Sequence, residues 1–328
     1  MFDTWLPLFG GLALLVVGGD LLVRGAVQIA SRFGVSPLIV GLTLVGFGTS
    51  TPELVTSVQA ARIGAPGIAF GNIVGSNIAN VLLIVGASAI LYPIVVTSSA
   101  LKRDGVVMVA VSAAFAALST VMEMGRWLGA IFILALIFYV YTAFRQERQV
   151  QRAVDHGAVY DKATALQAAD PGTAIAANKT QSILLPIMIA VAGLVLLVAG
   201  GTFLVDGAVT VAQSFGISET VIGLTIVAVG TSLPEFVTSV LAAVRRLGDV
   251  AFGNIVGSNI YNILGIGGAT ALIAPSAVPS EILNFDNLVM IGVSALLIAF
   301  AWTGLKIARW EGGALLLGYM AYVFVIWP

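Results

Sequence analysis

Apolar runs of about 20 residues recur along the whole chain, each long enough to cross the hydrocarbon core of a bilayer as a helix. They predict ten spanning helices, at roughly 5–31, 36–62, 67–92, 104–122, 126–144, 182–213, 218–245, 250–274, 286–303 and 306–327. The long polar stretch, Arg145 to Gln181, carries Glu147, Asp155, Asp161 and Asp170 among its basic residues and a Pro171-Gly172 turn signal. It divides the helices five and five, into a first half (1–144), a linker (145–181) and a second half (182–328). The linker is too short and too poor in acids for an ordinary calcium-binding domain, and is expected to be a tether or a surface helix. The first apolar run follows Asp3 rather than a basic segment and reads as a retained span, not a cleaved signal.

The pattern also repeats. GLTLVGFGTSTPELVTSV at 41 returns as GLTIVAVGTSLPEFVTSV at 223, and AFGNIVGSNIAN at 69 returns as AFGNIVGSNIYN at 251, both offset by 182. Between residues 41–90 and 223–272, 31 of 50 positions are identical without a gap. The same offset carries Gly18-Gly19 onto Gly200-Gly201 and Phe33-Gly34 onto Phe215-Gly216. With five spans per copy, the second copy must enter the membrane from the opposite face, so the halves are inverted. Charge gives the orientation. An outside N-terminus puts Arg24, Arg32, Lys102, Arg103, Arg145, Arg148, Arg152, Lys162, Lys179, Arg245, Arg246, Lys306 and Arg309 on the cytoplasmic side. Only Arg62 and Arg126 then lie outside. The expected architecture is an all-α polytopic protein of the inner (plasma) membrane, with ten helices in two inverted repeats, both termini outside and the linker cytoplasmic.

Composition agrees: 59% of residues are hydrophobic, 9% are charged, and the mean hydropathy is +1.05. So few charges cannot cover a water-exposed surface, which excludes a soluble enzyme or a disordered chain. A net charge of −1 gives no footprint for nucleic acid, and the absence of cysteine removes disulfides and thiolate chemistry.

Against this background Glu53 and Glu235 stand near the middle of apolar helices, where an acid costs about 2.5 to 3.5 kcal/mol on insertion scales. No Lys or Arg lies in the middle of any span to pair with them, so a cation that comes and goes explains them best. Each glutamate follows a proline, in G-T-S-T-P-E (48–53) and G-T-S-L-P-E (230–235). Proline deprives the carbonyl four residues earlier, here Gly48 and Gly230, of its donor, so helices 2 and 7 should break beside the acid and turn backbone oxygens toward it. Thr49, Ser50, Thr231 and Ser232 add hydroxyls. In G-N-I-V-G-S-N-I-A-N (71–80) and its copy at 253–262, Asn72, Ser76 and Asn80 form one stripe, as do Asn254, Ser258 and Asn262. Ser76, Asn80, Ser258 and Asn262 are expected to ligate the ion or support its ligands directly. Asn72, Asn77, Asn254 and Asn259 suit interhelical hydrogen bonding equally well. All these donors are oxygens, which indicates a hard cation such as calcium, with protons competing for the paired carboxylates.

These paired motifs resemble those of the cation/calcium antiporter superfamily, the sodium/calcium exchangers, and the resemblance covers essentially the whole chain. It implies an antiporter, not an enzyme, that exchanges calcium for sodium by alternating access. By position, Glu53 and Glu235 match the calcium-binding glutamates, and Thr49 and Thr231 match residues offering carbonyl and hydroxyl ligands. Ser50, Ser76, Ser232 and Ser258 match sodium-site residues, and Asn80 and Asn262 match the central positions of helices 3 and 8. Helices 1 and 6 would form a sliding gate. The resemblance implies no prosthetic group; calcium and sodium are the cargo, the bilayer is the surroundings, and a monomer suffices for transport. Many exchangers have an aspartate at the position of Asn262, so this chain offers two acids where they offer three. A −2 site is balanced by one calcium or two monovalent ions. Proton coupling is the alternative, although proton/calcium exchangers usually carry acids near the third-helix motif that are absent here.

A third possibility is a passive channel, because Thr43-Leu44-Val45-Gly46-Phe47-Gly48 resembles a potassium-channel filter. Its copy, Thr225-Ile226-Val227-Ala228-Val229-Gly230, loses the pattern. His156, the only histidine, reads as solvated. Asp20 and Arg24 read as a helix-surface pair, and Asp206 as a solvated residue near the outer face.

Overall fold

The computed structural model describes residues 2–33, 47–96, 99–147, 160–162, 164–165, 183–303 and 306–328. The start of the second expected span, the Thr43 to Gly46 part of the filter-like run, and His156 lie outside the described residues.

The described residues are nearly all helical. In chain order they form α1 (Phe2–Arg32), α2 (Thr51–Arg62), α3 (Pro66–Leu91), α4 (Ser99–Val121), α5 (Arg126–Glu147) and α6 (Leu184–Phe215). There follow α7 (Glu219–Thr231), α8 (Leu233–Val244), α9 (Gly248–Ile273), α10 (Asn287–Thr303) and α11 (Arg309–Ile326). Among the described residues, seven helices are long and apolar enough to cross a membrane, and α7 with α8 makes an eighth span bent by 51°. Two short strands, β1 (Ile94–Val95) and β2 (Lys306–Ile307), pair antiparallel.

Two features mark the outer surface as lipid-facing. Large apolar side chains such as Ile131, Leu134, Phe138, Leu194 and Phe324 are exposed, the reverse of a soluble protein. The tryptophans stand within a few residues of helix ends, Trp5 on α1, Trp127 on α5, Trp302 on α10, and Trp310 and Trp327 on either side of α11, where indoles occupy a bilayer interface. This is a multi-pass membrane protein.

Element boundaries follow the 182-residue offset. α2 and α8 have 12 residues each. α3 and α9 each contain 14 α-helical residues, then a six-residue π segment, Asn80–Val85 and Asn262–Gly267. Both are buried on nearly all sides and pack against α2 and α8.

α1 and α6 run antiparallel along a seam of glycines at heptad spacing, Gly11, Gly18 and Gly25 against Gly193, Gly200 and Gly207. The repeat counterparts are 182 apart, while across the seam Gly11 meets Gly200 and Gly18 meets Gly193. A Cβ on Gly18 would lie 2.7 Å from the Leu197 nitrogen, and one on Gly200 would lie 2.8 Å from the Gly11 oxygen. Only glycine permits this backbone contact, the small-residue packing that joins helices in lipid.

The pair leans to one side. A Cβ on Gly201 of α6 would meet Val55 of α2 at 2.7 Å. Gly19, its counterpart on α1, faces Pro52 and Leu197, and Val237, the counterpart of Val55 on α8, is 51% exposed. The outer face of α2 is therefore covered where that of α8 is bare. Asp20 and Arg24 pair at 2.9 Å on the surface of α1, as the sequence indicated. Asp206 is exposed, but within α6 rather than at its end.

Candidate functional site

The site forms where two broken helices meet. A 3₁₀ turn, Gly48–Ser50, precedes α2, and α7 ends at Thr231 with a sharp bend to α8. Pro52 and Pro234 lie in the first turns of α2 and α8, where a missing N–H costs nothing. Glu53 and Glu235 thus stand at the start of helices, whose dipoles favour a carboxylate. The Gly48 carbonyl, expected to be freed by Pro52, is not freed: it accepts from the Thr51 N–H, because the turn tightens and supplies a nearer donor. At the second break the Ser232 N–H bonds the Ala228 carbonyl at 3.1 Å.

All ten nominated residues, Thr49, Ser50, Glu53, Ser76, Asn80, Thr231, Ser232, Glu235, Ser258 and Asn262, are buried. The two breaks are stitched together reciprocally. Ser50 Oγ donates to Glu235 Oε1 at 2.7 Å, and Ser232 Oγ donates to Glu53 Oε1 at 2.9 Å. Behind each acid an asparagine fixes the helix start. Asn72 donates to the Glu53 carbonyl at 3.2 Å and to Ser57 Oγ at 2.9 Å. Asn254 donates to the Glu235 carbonyl at 3.3 Å and to Thr238 Oγ1 and Ser239 Oγ at 2.9 and 2.7 Å. Thr231 Oγ1 and Ser76 Oγ donate to Asn72 Oδ1 at 3.0 and 3.4 Å. Asn80 donates to Asn259 Oδ1 at 2.9 Å, and Asn259 to the Asn77 carbonyl at 3.3 Å, tying α3 to α9. The side chains of Asn72, Asn254 and Asn259 thus hold helices together, whereas the Asn77 amide donates to the Ile73 carbonyl of its own helix at 2.7 Å.

What remains is a set of buried oxygens facing no donor: Glu53 Oε2, Glu235 Oε2, Asn80 Oδ1, Asn254 Oδ1 and Asn262 Oδ1. Buried oxygens without partners are costly and are found where something else satisfies them. Their chemistry is that of a hard-cation shell. Asn80 and Asn262 each open a π segment, a distortion frequent at functional sites.

One buried cation reaches this cluster, and it corrects the sequence reading. The linker was expected to be a tether or a surface helix, and the glutamates to lack a basic partner. Instead the Lys162 ammonium lies 2.9 Å from Thr49 Oγ1, 3.2 Å from Ser50 Oγ and 3.5 Å from Glu235 Oε1, and it also donates to Ser258 Oγ. Lys162 is fully buried, and Tyr160 and Ala165 beside it pack into the apolar core. Lys162 lies outside every expected span, and nothing in the linker's spacing marks one lysine as an insert. Phe47 and Tyr261, stacked with ring centroids 4.5 Å apart, are further neighbours that sequence reading missed. Tyr261 departs from its repeat counterpart Ala79 within an otherwise identical motif, which was the available signal.

Comparison with known proteins gives a concordant answer. The sequence profile of the family described as "Sodium/calcium exchanger protein" matches residues 4–145 and 185–327. CaxA of Alkalimonas amylolytica is 37% identical over 324 residues, covering 96% of each chain. The sodium/calcium exchanger MaX1 of Methanosarcina acetivorans is 36% identical over 346 residues, covering 98% of each. Among solved structures, the sodium-calcium exchanger NCX_Mj superposes with a TM-score of 0.61 at 31% identity, covering 98% of each chain. The chain belongs to the sodium/calcium exchanger family, within the cation/calcium antiporter superfamily.

Proposed function

We propose that this protein is a secondary active antiporter that exchanges calcium for sodium by alternating access. It does so with ten spanning helices in two inverted halves, 1–144 and 182–328. The observation that carries the reading is the reciprocal bonding of Ser50 to Glu235 and Ser232 to Glu53. It brings two membrane-buried carboxylates into one cluster and leaves a free oxygen on each, among amide oxygens that also lack donors. Glu53 and Glu235 bind calcium, with Thr49, Thr231, Asn80 and Asn262 contributing oxygens, and Ser50, Ser76, Ser232 and Ser258 serve sodium. Two carboxylates balance one calcium or two sodium ions, so exchange in that ratio leaves the site neutral in either loaded form.

The antiparallel run of α1 against its counterpart α6 supports the inversion. Alternating access is supported by the lean of that pair, which covers α2 and leaves α8 bare. The opposite state would cover α8. The excess of Lys and Arg supports a cytoplasmic linker, with both termini outside.

The test is calcium-45 uptake into proteoliposomes at fixed pH, with and without an outward sodium gradient, and with an outward proton gradient in sodium-free buffer. Uptake that needs sodium is the expected result. Uptake driven by protons alone would overturn sodium coupling, and flux needing no counter-ion would overturn exchange.

A further inference from the structure

We propose that the linker carries a built-in competitor for the transport site: the ammonium of Lys162 occupies the place of a transported cation and holds the exchanger off until ions displace it. This inference rests on the site assignment above. The argument begins with the shell around the ammonium. An ammonium group has three protons to donate. Here four oxygens surround it, from Thr49, Ser50, Glu235 and Ser258, which is the surround of a cation in an oxygen cage rather than that of a simple ion pair. All four belong to the motifs that the repeat duplicates, and they come from both halves of the chain.

The segment that delivers the lysine is built to stay docked. Asp161 lies against Gly253, where a Cβ would lie 3.0 Å from Asp161 Oδ2, so the glycine of the second G-N-I-V-G-S-N motif makes room for linker as well as helix. Ala165 and Tyr160 bury apolar surface in the same cluster as Phe252 and Ile255. In the proposed topology the linker is cytoplasmic, so it enters the site from that face of the membrane.

A ligand tethered within the same chain competes at an effective concentration of about millimolar. Calcium must therefore out-compete it, and removing the ammonium lowers the apparent KM for calcium on the linker side by about tenfold. The experiment compares full-length wild type with Lys162→Ala and Lys162→Gln in sodium-driven calcium-45 uptake. The chain contains no cysteine, so Ala165→Cys, which keeps Lys162, gives a single thiol whose labelling by a maleimide is followed with and without calcium or sodium. The expected results are a lower KM in both lysine variants and faster labelling of Cys at 165 when either ion is added. Unchanged KM in a folded variant, a fall in transport below wild type, or labelling indifferent to both ions would overturn the proposal. If neither wild type nor the lysine variants move calcium, exchange itself fails. The sodium dependence of labelling then still decides whether the linker competes with a cation.

Discussion

At the scale of single residues, the two glutamates supply the negative charge of the cluster and their serine partners hold them together. Replacing Glu53 or Glu235 with Gln removes one negative charge but keeps the shape and the hydrogen-bond acceptor, so calcium transport is expected to vanish while thermal stability stays near wild type. Uptake assays paired with melting curves check this. Asn262 has neither amide atom partnered, so Asn262→Asp adds a charge at a position with no hydrogen bond to break. The sodium-to-calcium ratio, read from reversal potentials in proteoliposomes, is expected to rise. Asn254 serves stability instead. Asn254→Ala removes the donor to the Thr238 and Ser239 hydroxyls, while the Glu235 carbonyl keeps Thr238 Oγ1 at 3.0 Å, so a loss of about 1–3 kcal/mol is expected, visible as a lower Tm. The ten nominated positions were legible in the sequence because duplication writes each twice and because oxygen-bearing residues are conspicuous in apolar helices. Lys162 was not legible, since a lysine in a polar linker is ordinary until tertiary packing brings it to the carboxylates.

At the scale of elements, the breaks at Pro52 and Pro234 were readable from proline chemistry, as was the bend between α7 and α8. The detail was not: whether Gly48 keeps a free carbonyl depends on how tightly its turn closes, and here it finds a donor three residues on. The π segments were equally invisible, because a one-residue widening of a helix leaves no mark on periodicity. The glycine seam of α1 and α6 makes a separate prediction. Gly18→Val or Gly200→Val puts a side chain into facing backbone 2.7 to 2.8 Å away. The two helices must then part, and exchange rates are expected to fall at least tenfold even where folded protein is recovered. Gly10→Val, with nothing within 4 Å of its Cβ position, is the control expected to transport normally.

At the scale of the whole molecule, the sequence made clear a polytopic, helical, duplicated protein, because hydropathy and repetition are global signals that survive errors in any one boundary. The lean of the α1–α6 pair depends on how helices dock in three dimensions and has no trace in the sequence. The proposed sidedness, drawn from the basic residues, predicts that a thiol introduced by Arg148→Cys, in the linker, is labelled only from the cytoplasm. Labelling from outside intact cells would reverse the topology. The central claim is that one pair of carboxylates, one from each half, holds the transported calcium. Equilibrium calcium-45 binding to purified wild type, Glu53→Gln and Glu235→Gln in sodium-free buffer tests it most directly. One calcium per chain in wild type and none in either variant is the predicted result. Undiminished binding in either variant would contradict it.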